Sequence, residues 1–516
     1  MSQALVQALQ NSALYDHPVD SFEVIETHIS WVILTGSFAY KIKKPNNFGF
    51  LDFSTLAKRE HFCHEELRLN RRLAPELYLA VLPICGSEKA PRFDGDGEAI
   101  EYAIKMVQFP QDQLLDKMLQ RGELTQQHID EIAAITAAFH QRTESAAAGT
   151  QFGSPEQVMA PVQQNFEQIR DFLEAESDLA QLGQIEGWAQ DMANILNPVF
   201  TQRKESGMIK ACHGDLHLGN ITLFQGKVTL FDCIEFNDSF RWIDVMSEAA
   251  FFMMDLEDRG LQNLANRFLN AYLEQTGDYG GLRVLNFYKS YRAVVRAKVA
   301  LFNLYNENLT EEQRQQIFSQ YRSYIQLAER YMEIPKRYIL LMHGFSGSGK
   351  TTVSTALVDN LGAIRLRSDV ERKRLFDAAA SKPSGLNDGI YSHSASEQTF
   401  AHLVKISEQV LNSGYAAIVD ATFLQQTYRE LFHQLAENLG VPLRIVSCDL
   451  DDTELRARIQ QRQAAGTDPS DATIEVYEAQ IASADALSEE ELKHTSRINT
   501  ASLDDAQRFI EMIRSH

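Results

Sequence analysis

Cysteine is scarce and unpatterned, with Cys63, Cys85, Cys212, Cys233 and Cys448 the five in 516 residues and no CxxC spacing among them. An odd, scattered set excludes a disulfide framework and offers no zinc-ligand spacing. It predicts buried thiols in a reducing compartment. Long apolar runs are missing, since no stretch approaches the roughly twenty residues that a bilayer span requires. Met1 to Val19 lacks the basic end and apolar run of a signal peptide, so the expected location is the cytoplasm. Positive charge is in deficit, with 49 Lys and Arg against 70 Asp and Glu and a formal net charge of −21. A non-specific nucleic-acid or anionic-membrane binder is thereby disfavoured, whereas a local cationic pocket for an acidic substrate is not. Repeats and low-complexity tracts are absent too.

What is present is enough chain for roughly two to four domains. Residues 20–109 alternate short strands around one helix. Ser30 to Thr35 and Phe38 to Lys43 read as a hairpin turning at Gly36-Ser37, and Leu56 to Leu73 has helical periodicity before Pro75 stops it. Glu101 to Phe109 is a further strand, ended by Pro110. Helical periodicity then dominates from Leu114 to Glu333, broken by the Gly/Ser/Ala/Pro stretch from Ser145 to Pro161 and by a hairpin from Ile221 to Phe231 turning at Gln225-Gly226. Near Glu333 to Lys336 a boundary is expected. Beyond it apolar strands (Tyr338 to His343, Ala416 to Asp420, Leu443 to Cys448) alternate with helices, the signature of a doubly wound parallel sheet.

Two phosphate-handling strings stand in this frame. In His213-Gly-Asp-Leu-His-Leu-Gly-Asn220, an Asp precedes an Asn by five residues. A kinase catalytic loop uses that spacing to present a proton acceptor to the substrate hydroxyl and a carbonyl oxygen to Mg²⁺. The hairpin that follows returns Asp232 beside this loop. In Gly344-Phe-Ser-Gly-Ser-Gly-Lys-Thr351 the GxxxxGK[ST] pattern is complete, between a strand and a helix. Its backbone and lysine cradle nucleotide phosphates, and its hydroxyl binds Mg²⁺.

The first string, with Phe231-Asp232, resembles the aminoglycoside phosphotransferase and choline kinase group, relatives of protein kinases, over roughly residues 20–330. The resemblance implies a bilobal kinase-like fold in which Asp215 orients or deprotonates the acceptor hydroxyl and Asn220 and Asp232 hold Mg²⁺. Phe38-Ala-Tyr-Lys41 is similar to the Val-Ala-Ile-Lys strand. It nominates Lys41 for the nucleotide phosphates, with Lys43 as the competitor on the same strand face. Glu66 is the implied helical partner, with Glu65 as the alternative, and Met106 to Pro110, centred on Val107, the implied adenine-facing hinge. No GxGxxG loop precedes Lys41. Arg292 and Arg296, on a helix expected over Val284 to Leu304, could receive an anionic acceptor or line a solvated face.

The second string resembles small-molecule P-loop kinases of the polynucleotide kinase and zeta-toxin branch, over about residues 337–516. Gly344, Ser346, Gly347, Ser348, Gly349, Lys350, Thr351 and Thr352 would form the nucleotide cradle, with Thr351 and Asp420 near Mg²⁺ or Asp420 facing the substrate instead. Ser368-Asp-Val-Glu-Arg372 matches the branch's Ser-Asp-x-x-Arg string, implying that Asp369 contacts the acceptor and Arg372 an anionic group on it, with a helix-capping Asp369 as the alternative. Arg456, Arg458 and Arg462 match a lid helix whose arginines stabilise the transferring phosphoryl group.

The expected protein is therefore an α/β and α+β chain of two domains, 1–334 (lobes 20–109 and 110–334) and 335–516. Each would transfer a phosphoryl group from ATP with Mg²⁺ to a small-molecule hydroxyl. The alternative is a single catalytic kinase domain governed by a nucleotide-sensing or toxin-like partner. A binding or scaffold protein stands third.

Overall fold

A computed structural model describes residues 3–49, 51–306, 308–376, 392–465, 473–502 and 504–515, the side chains of 462–465 excepted. The chain forms two compact units, one of Met1–Leu173 with Gln190–Asp255 and one of Glu174–Ala189 with Leu256–His516.

The first unit opens with strands β1 (Glu23–Glu26), β2 (Ser30–Leu34) and β3 (Phe38–Lys43), then β4 (Tyr78–Ser87), β5 (Ala90–Phe93) and β6 (Ala99–Val107). They form one sheet in the order β1-β2-β3-β6-β4-β5, antiparallel at every pairing. The two-residue period of a strand divides its side chains between two cores. Ile33, Tyr40, Ile42 and Ala103 face one core, which the N-terminal helix Gln3–Ala8 covers through Leu5 and Val6. Leu34, Ala39, Ile104 and Met106 face the other. Lys41 and Lys43 share the face of Ala39, on the side of helix Leu56–Asn70, which Thr55 caps through the Lys58 amide. That helix stops three residues short of the expected Leu73, because Asn70 to Leu73 form a turn.

Helices Leu115–Gln120, Gln126–Arg142 and Pro155–Arg170 follow. The last begins inside the stretch expected to be irregular: Ser154 caps it, and Pro155 occupies the first turn, where no amide donor is needed. Strand β7 (Ile209–Ala211) pairs with β10 (Trp242–Asp244), and β8 (Ile221–Phe224) with β9 (Lys227–Leu230). The β8–β9 hairpin turns at Gln225-Gly226 as expected.

In the second unit β11 (Ile339–His343), β12 (Ile364–Arg367), β13 (Ala417–Asp420), β14 (Leu443–Asp449) and β15 (Thr495–Asn499) make a parallel sheet ordered β12-β13-β11-β14-β15. Its core joins Leu340, Met342, Ile418 and Val446 to Val353 and Leu357 of helix Lys350–Leu361 and to Phe509 and Ile510 of helix Asp504–Ser515. Helices Gln262–Thr276, Leu282–Phe302 and Glu311–Arg330 belong to this unit. Asn270 on the first of them accepts from the Arg365 amide at 2.7 Å and donates to the Ala363 carbonyl at 3.1 Å, which occupies the open edge of β12. The packing units thus change over at Leu173–Glu174, Ala189–Gln190 and Asp255–Leu256, whereas the motifs change near residue 334.

Candidate active sites

In the first unit a buried carboxylate joins two lysines. Glu66 meets Lys41 Nζ at 2.7 Å and Lys43 Nζ at 2.5 Å. The lysines differ beyond that shared partner. Lys43 also pairs with Glu235 and is closed off, whereas Lys41 reaches Asp232 Oδ1 at 2.6 Å, and the Asp232 side chain is 40% exposed. Burial alone would raise the Glu66 carboxyl, but Lys41 and Lys43 outweigh it and hold the group down at about 2. Glu235 is pushed up, because burial and repulsion from Glu66 exceed the pull of Lys43. Lys41 stays firmly protonated, since Asp232 and Glu66 overcome the cost of burying it.

The string from His213 to Asn220 packs against the residue before Asp232. Asn220 Nδ2 donates to the Asp215 carbonyl at 3.0 Å and to Asp215 Oδ2 at 2.9 Å. With its amide nitrogen so engaged, Asn220 has its carbonyl oxygen as the group suited to a hard cation. His213 Nε2 bonds the Phe231 carbonyl at 2.8 Å and so ties the loop to the residue before Asp232. Asp232 has a left-handed backbone, φ +65°, a conformation that aspartate tolerates better than most residues. Gly214 has φ +90°, and a Cβ there would meet the Phe240 carbonyl oxygen at 2.9 Å, so only glycine fits. Its amide donates to Glu248 Oε1 at 2.7 Å, while Glu248 Oε2 lies 2.6 Å from His140 Nε2.

Two expected features of this site take particular forms. The Val107 amide donates to the Leu77 carbonyl at 2.9 Å and is engaged by the turn before β4. At the Gly36 turn, the Thr35 and Gly36 amides donate to Gln108 Oε1 at 3.0 and 2.8 Å, so the hairpin is tied to the segment after β6.

In the second unit, the loop after β11 folds its lysine onto itself: Lys350 Nζ donates to the Gly344 and Phe345 carbonyls at 2.9 and 2.8 Å. Thr500 Oγ1 donates to the Ser348 carbonyl at 2.7 Å. Gln480, on helix Ile474–Ser483, accepts from the Ser346 amide and donates to Ser346 Oγ, both at 2.9 Å. Gly347 has φ +86°, and a Cβ there would come within 2.8 Å of Ile459, so the packed helix Asp452–Ala465 also requires glycine. Gly349, again left-handed, precedes helix Lys350–Leu361, where Thr351 is half-buried and Thr352 exposed.

Parallel register gathers the remaining groups. Asp420, at the end of β13, lies opposite Met342 on one side and Arg367 on the other, and accepts from Ser354 Oγ at 2.9 Å. Asp369 follows Arg367 in the first turn of helix Ser368–Leu375. Burial and then Asp420 raise its carboxyl above the usual range, against the pull of Arg372, Arg367 and Lys350. Arg372 is buried and donates to Ser396 Oγ at 3.2 Å.

The expected lid arginines are held by acids. Arg456 pairs with Asp452 and Glu478, and Arg458 with Glu454. The Arg462 side chain lies outside the described residues. Arg292 is buried, with its guanidinium 5.5 Å from the Tyr291 ring centre, and Arg296 lies 5.8 Å from that of Tyr324. Sequence reasoning missed Glu235, Gln480 and Thr500. Each meets its partner far along the chain, and none has a motif of its own.

Comparison with known proteins divides the chain by its motifs. Residues 50–285 match the model of the phosphotransferase enzyme family, and residues 339–487 match that of an AAA domain. Uncharacterized proteins of Mycobacterium tuberculosis and Mycobacterium bovis are 29% identical over 468 residues, covering 90% of this chain and 91% of theirs. An amicoumacin kinase in complex with AMP-PNP and Ca²⁺ is 12% identical, with a TM-score of 0.42, and covers 63% of this chain and 94% of its own. A choline/ethanolamine kinase family protein of Mesorhizobium loti is 12% identical, with a TM-score of 0.39, over 64% and 97% of the two chains. The APS kinase of Mycobacterium tuberculosis, bound to AMPPNP and APS, is 19% identical, with a TM-score of 0.27, over 35% and 99%. No helix among the described residues is long and apolar enough to cross a membrane. Residues 50–285 thus form a region that matches the phosphotransferase enzyme family, and the phosphate-loop region after it matches an AAA domain.

Proposed function

We propose that the chain is a bifunctional ATP- and Mg²⁺-dependent kinase, in which residues 1–334 and 335–516 each transfer the terminal phosphoryl group to a hydroxyl of a small molecule. One observation supports this reading most directly: in the first site Lys41 is joined to Glu66 and Asp232 while Asn220 is held to Asp215, which pairs the proposed phosphate, metal and proton-accepting groups.

In the first site Lys41 binds the nucleotide phosphates, and Glu66 fixes its position. Asp215, held by Asn220, accepts the proton of the acceptor hydroxyl as the oxygen attacks. The Asn220 carbonyl and the Asp232 carboxylate suit Mg²⁺, which would neutralise charge on the phosphates when bound. In the second site the amides of the loop and Lys350 receive the phosphates, Thr351 and Asp420 stand for the metal, and Asp369 addresses the acceptor, with Arg372 beside it. Arg456 and Arg458 would serve the phosphoryl group only after leaving their acid partners.

Fold alone does not choose an acceptor. The test is ADP release from the full chain across a panel of alcohols, sugars and amino-acid derivatives, repeated with Asp215→Asn and Lys350→Ala. The reading expects one set of acceptors to be lost with each variant. If the two variants abolished the same reactions equally, only one region would be catalytic.

A further inference from the structure

The first unit holds a cavity of about 940 Å³ whose lining includes none of Asp215, Asn220 and Asp232. Arg68, Arg72, Arg142 and Arg241 line it, beside aromatic rings that include Phe62 and Trp242. Carboxylates are present, but they do not neutralise these arginines evenly. Arg68 is paired with Glu65, and Arg241 uses one nitrogen on Asp238, whose side chain is 61% exposed. Arg72 donates to the Leu69, Ala211 and Cys212 carbonyls and to Thr143 Oγ1, and Arg142 to the Arg72 carbonyl. Neither has an acidic partner among the described residues.

Arg241 is the most telling of the four. The residue is 5% exposed, and its Nε is buried without a hydrogen-bond partner. Such a group is costly to leave unmatched, and more so when it is charged. Burial lowers its proton affinity, and repulsion from Arg72 and Arg68 works in the same direction against Asp238. A guanidinium with an unpaired Nε–H suits an oxygen anion, because a phosphate accepts several charge-assisted bonds from such donors.

We infer that this cavity is a second anion site, separate from the catalytic groups, which takes a small organic phosphate: its phosphate would meet Arg72, Arg142 and Arg241 Nε, and its apolar or planar part the flanking aromatic rings. The site borders the Glu66 machinery from behind. Glu65 and Arg68 lie on the same helix as Glu66, and Glu235, which pairs with Lys43, lines the cavity. An occupant therefore bears on the helix that positions Lys41.

Two measurements test the site. Crystals of the full chain soaked in tungstate should show an anomalous peak within hydrogen-bond distance of Arg241 Nε and the Arg142 guanidinium. In solution, with the nucleotide sites saturated by a non-hydrolysable ATP analogue, pyrophosphate should bind the full chain. Arg142→Gln should weaken that binding by about tenfold or more, as loss of one charge-assisted bond predicts. Arg142 is exposed and makes a single bond, so this variant should fold, which its thermal transition would verify. No anomalous peak at the arginines would overturn the inference, as would equal pyrophosphate affinity in the variant. So would a tungstate peak without pyrophosphate binding in solution, which would mean an adventitious ion only.

Discussion

In the proposed mechanism Asp215 and Glu66 have different roles, and substitution separates them. Asp215→Asn leaves Asn220 Nδ2 an acceptor oxygen yet removes the proposed proton acceptor. Nucleotide affinity should stay nearly unchanged, while turnover falls on the order of 10²-fold or more, the range for a positioned base. Direct binding and steady-state assays on the same preparation would check it. Glu66 bears instead on stability and on the Lys41 position. Its carboxyl is depressed in the folded state, so its contribution is complete above the ordinary carboxylate range and fades as pH falls from about 4.5 toward about 2. Glu66→Gln should therefore destabilise the protein by roughly 3 kcal/mol or more at pH 7, because two buried ammonium groups lose a counter-charge. Urea titrations at several pH values should show the gap between variant and parent narrowing below pH 4.5. Asp369 shifts the other way. Raised by burial and by Asp420, it should impose a loss of activity on the acid side at a pH above the usual carboxylate range. Asp369→Asn should remove second-site transfer while leaving thermal stability nearly intact, since the side chains are of the same size and Asp369 does not cap its helix, which begins after Arg367. A variant with unchanged transfer would leave Asp369 without a role in transfer.

At the scale of elements, the helix Ile474–Ser483 is the least expected participant. Its Gln480 occupies the Ser346 amide, a donor that bound phosphate would need, and its Tyr477 packs edge-on to Phe345 with ring centres 5.5 Å apart. Gln480→Ala should tighten nucleotide binding at this loop by about 2- to 10-fold, since one hydrogen bond of about 0.5–1.5 kcal/mol no longer has to break first. Weaker binding would instead make Gln480 a stabiliser of the loop's competent form. Legibility in the sequence follows the same division between local and distant effects. Strand β3 and the phosphate loop with its helix were readable because period-two alternation, glycine punctuation and strand–loop–helix order are local. Lys41 could not be separated from Lys43 on the strand, because alternation puts both on one face. Only the chain return that brings Asp232 to one lysine and Glu235 to the other distinguishes them. The start of helix Pro155–Arg170 was hidden for a related reason: its Gly/Ser/Ala/Pro surroundings look like a loop, while the Ser154 cap and Pro155 in fact begin a helix. Gln480 was illegible, since 134 residues separate it from Ser346.

For the whole molecule, the central claim is that two nucleotide sites work on separate sets of residues, Lys41, Asn220 and Asp232 in one and Lys350 and Thr351 in the other. Division of the chain at residue 334 would be a poor way to test it, because the helices from Leu256 onward pack with the parallel sheet and Asn270 holds the β12 edge. Point variants in the intact chain avoid that disturbance. The decisive measurement is calorimetric titration of the full chain with a non-hydrolysable ATP analogue and Mg²⁺. Two binding events per chain are predicted, one abolished by Lys350→Ala and the other by Asp232→Ala, each leaving its counterpart intact. A single event in the parent chain, or loss of both events in either variant, would contradict it.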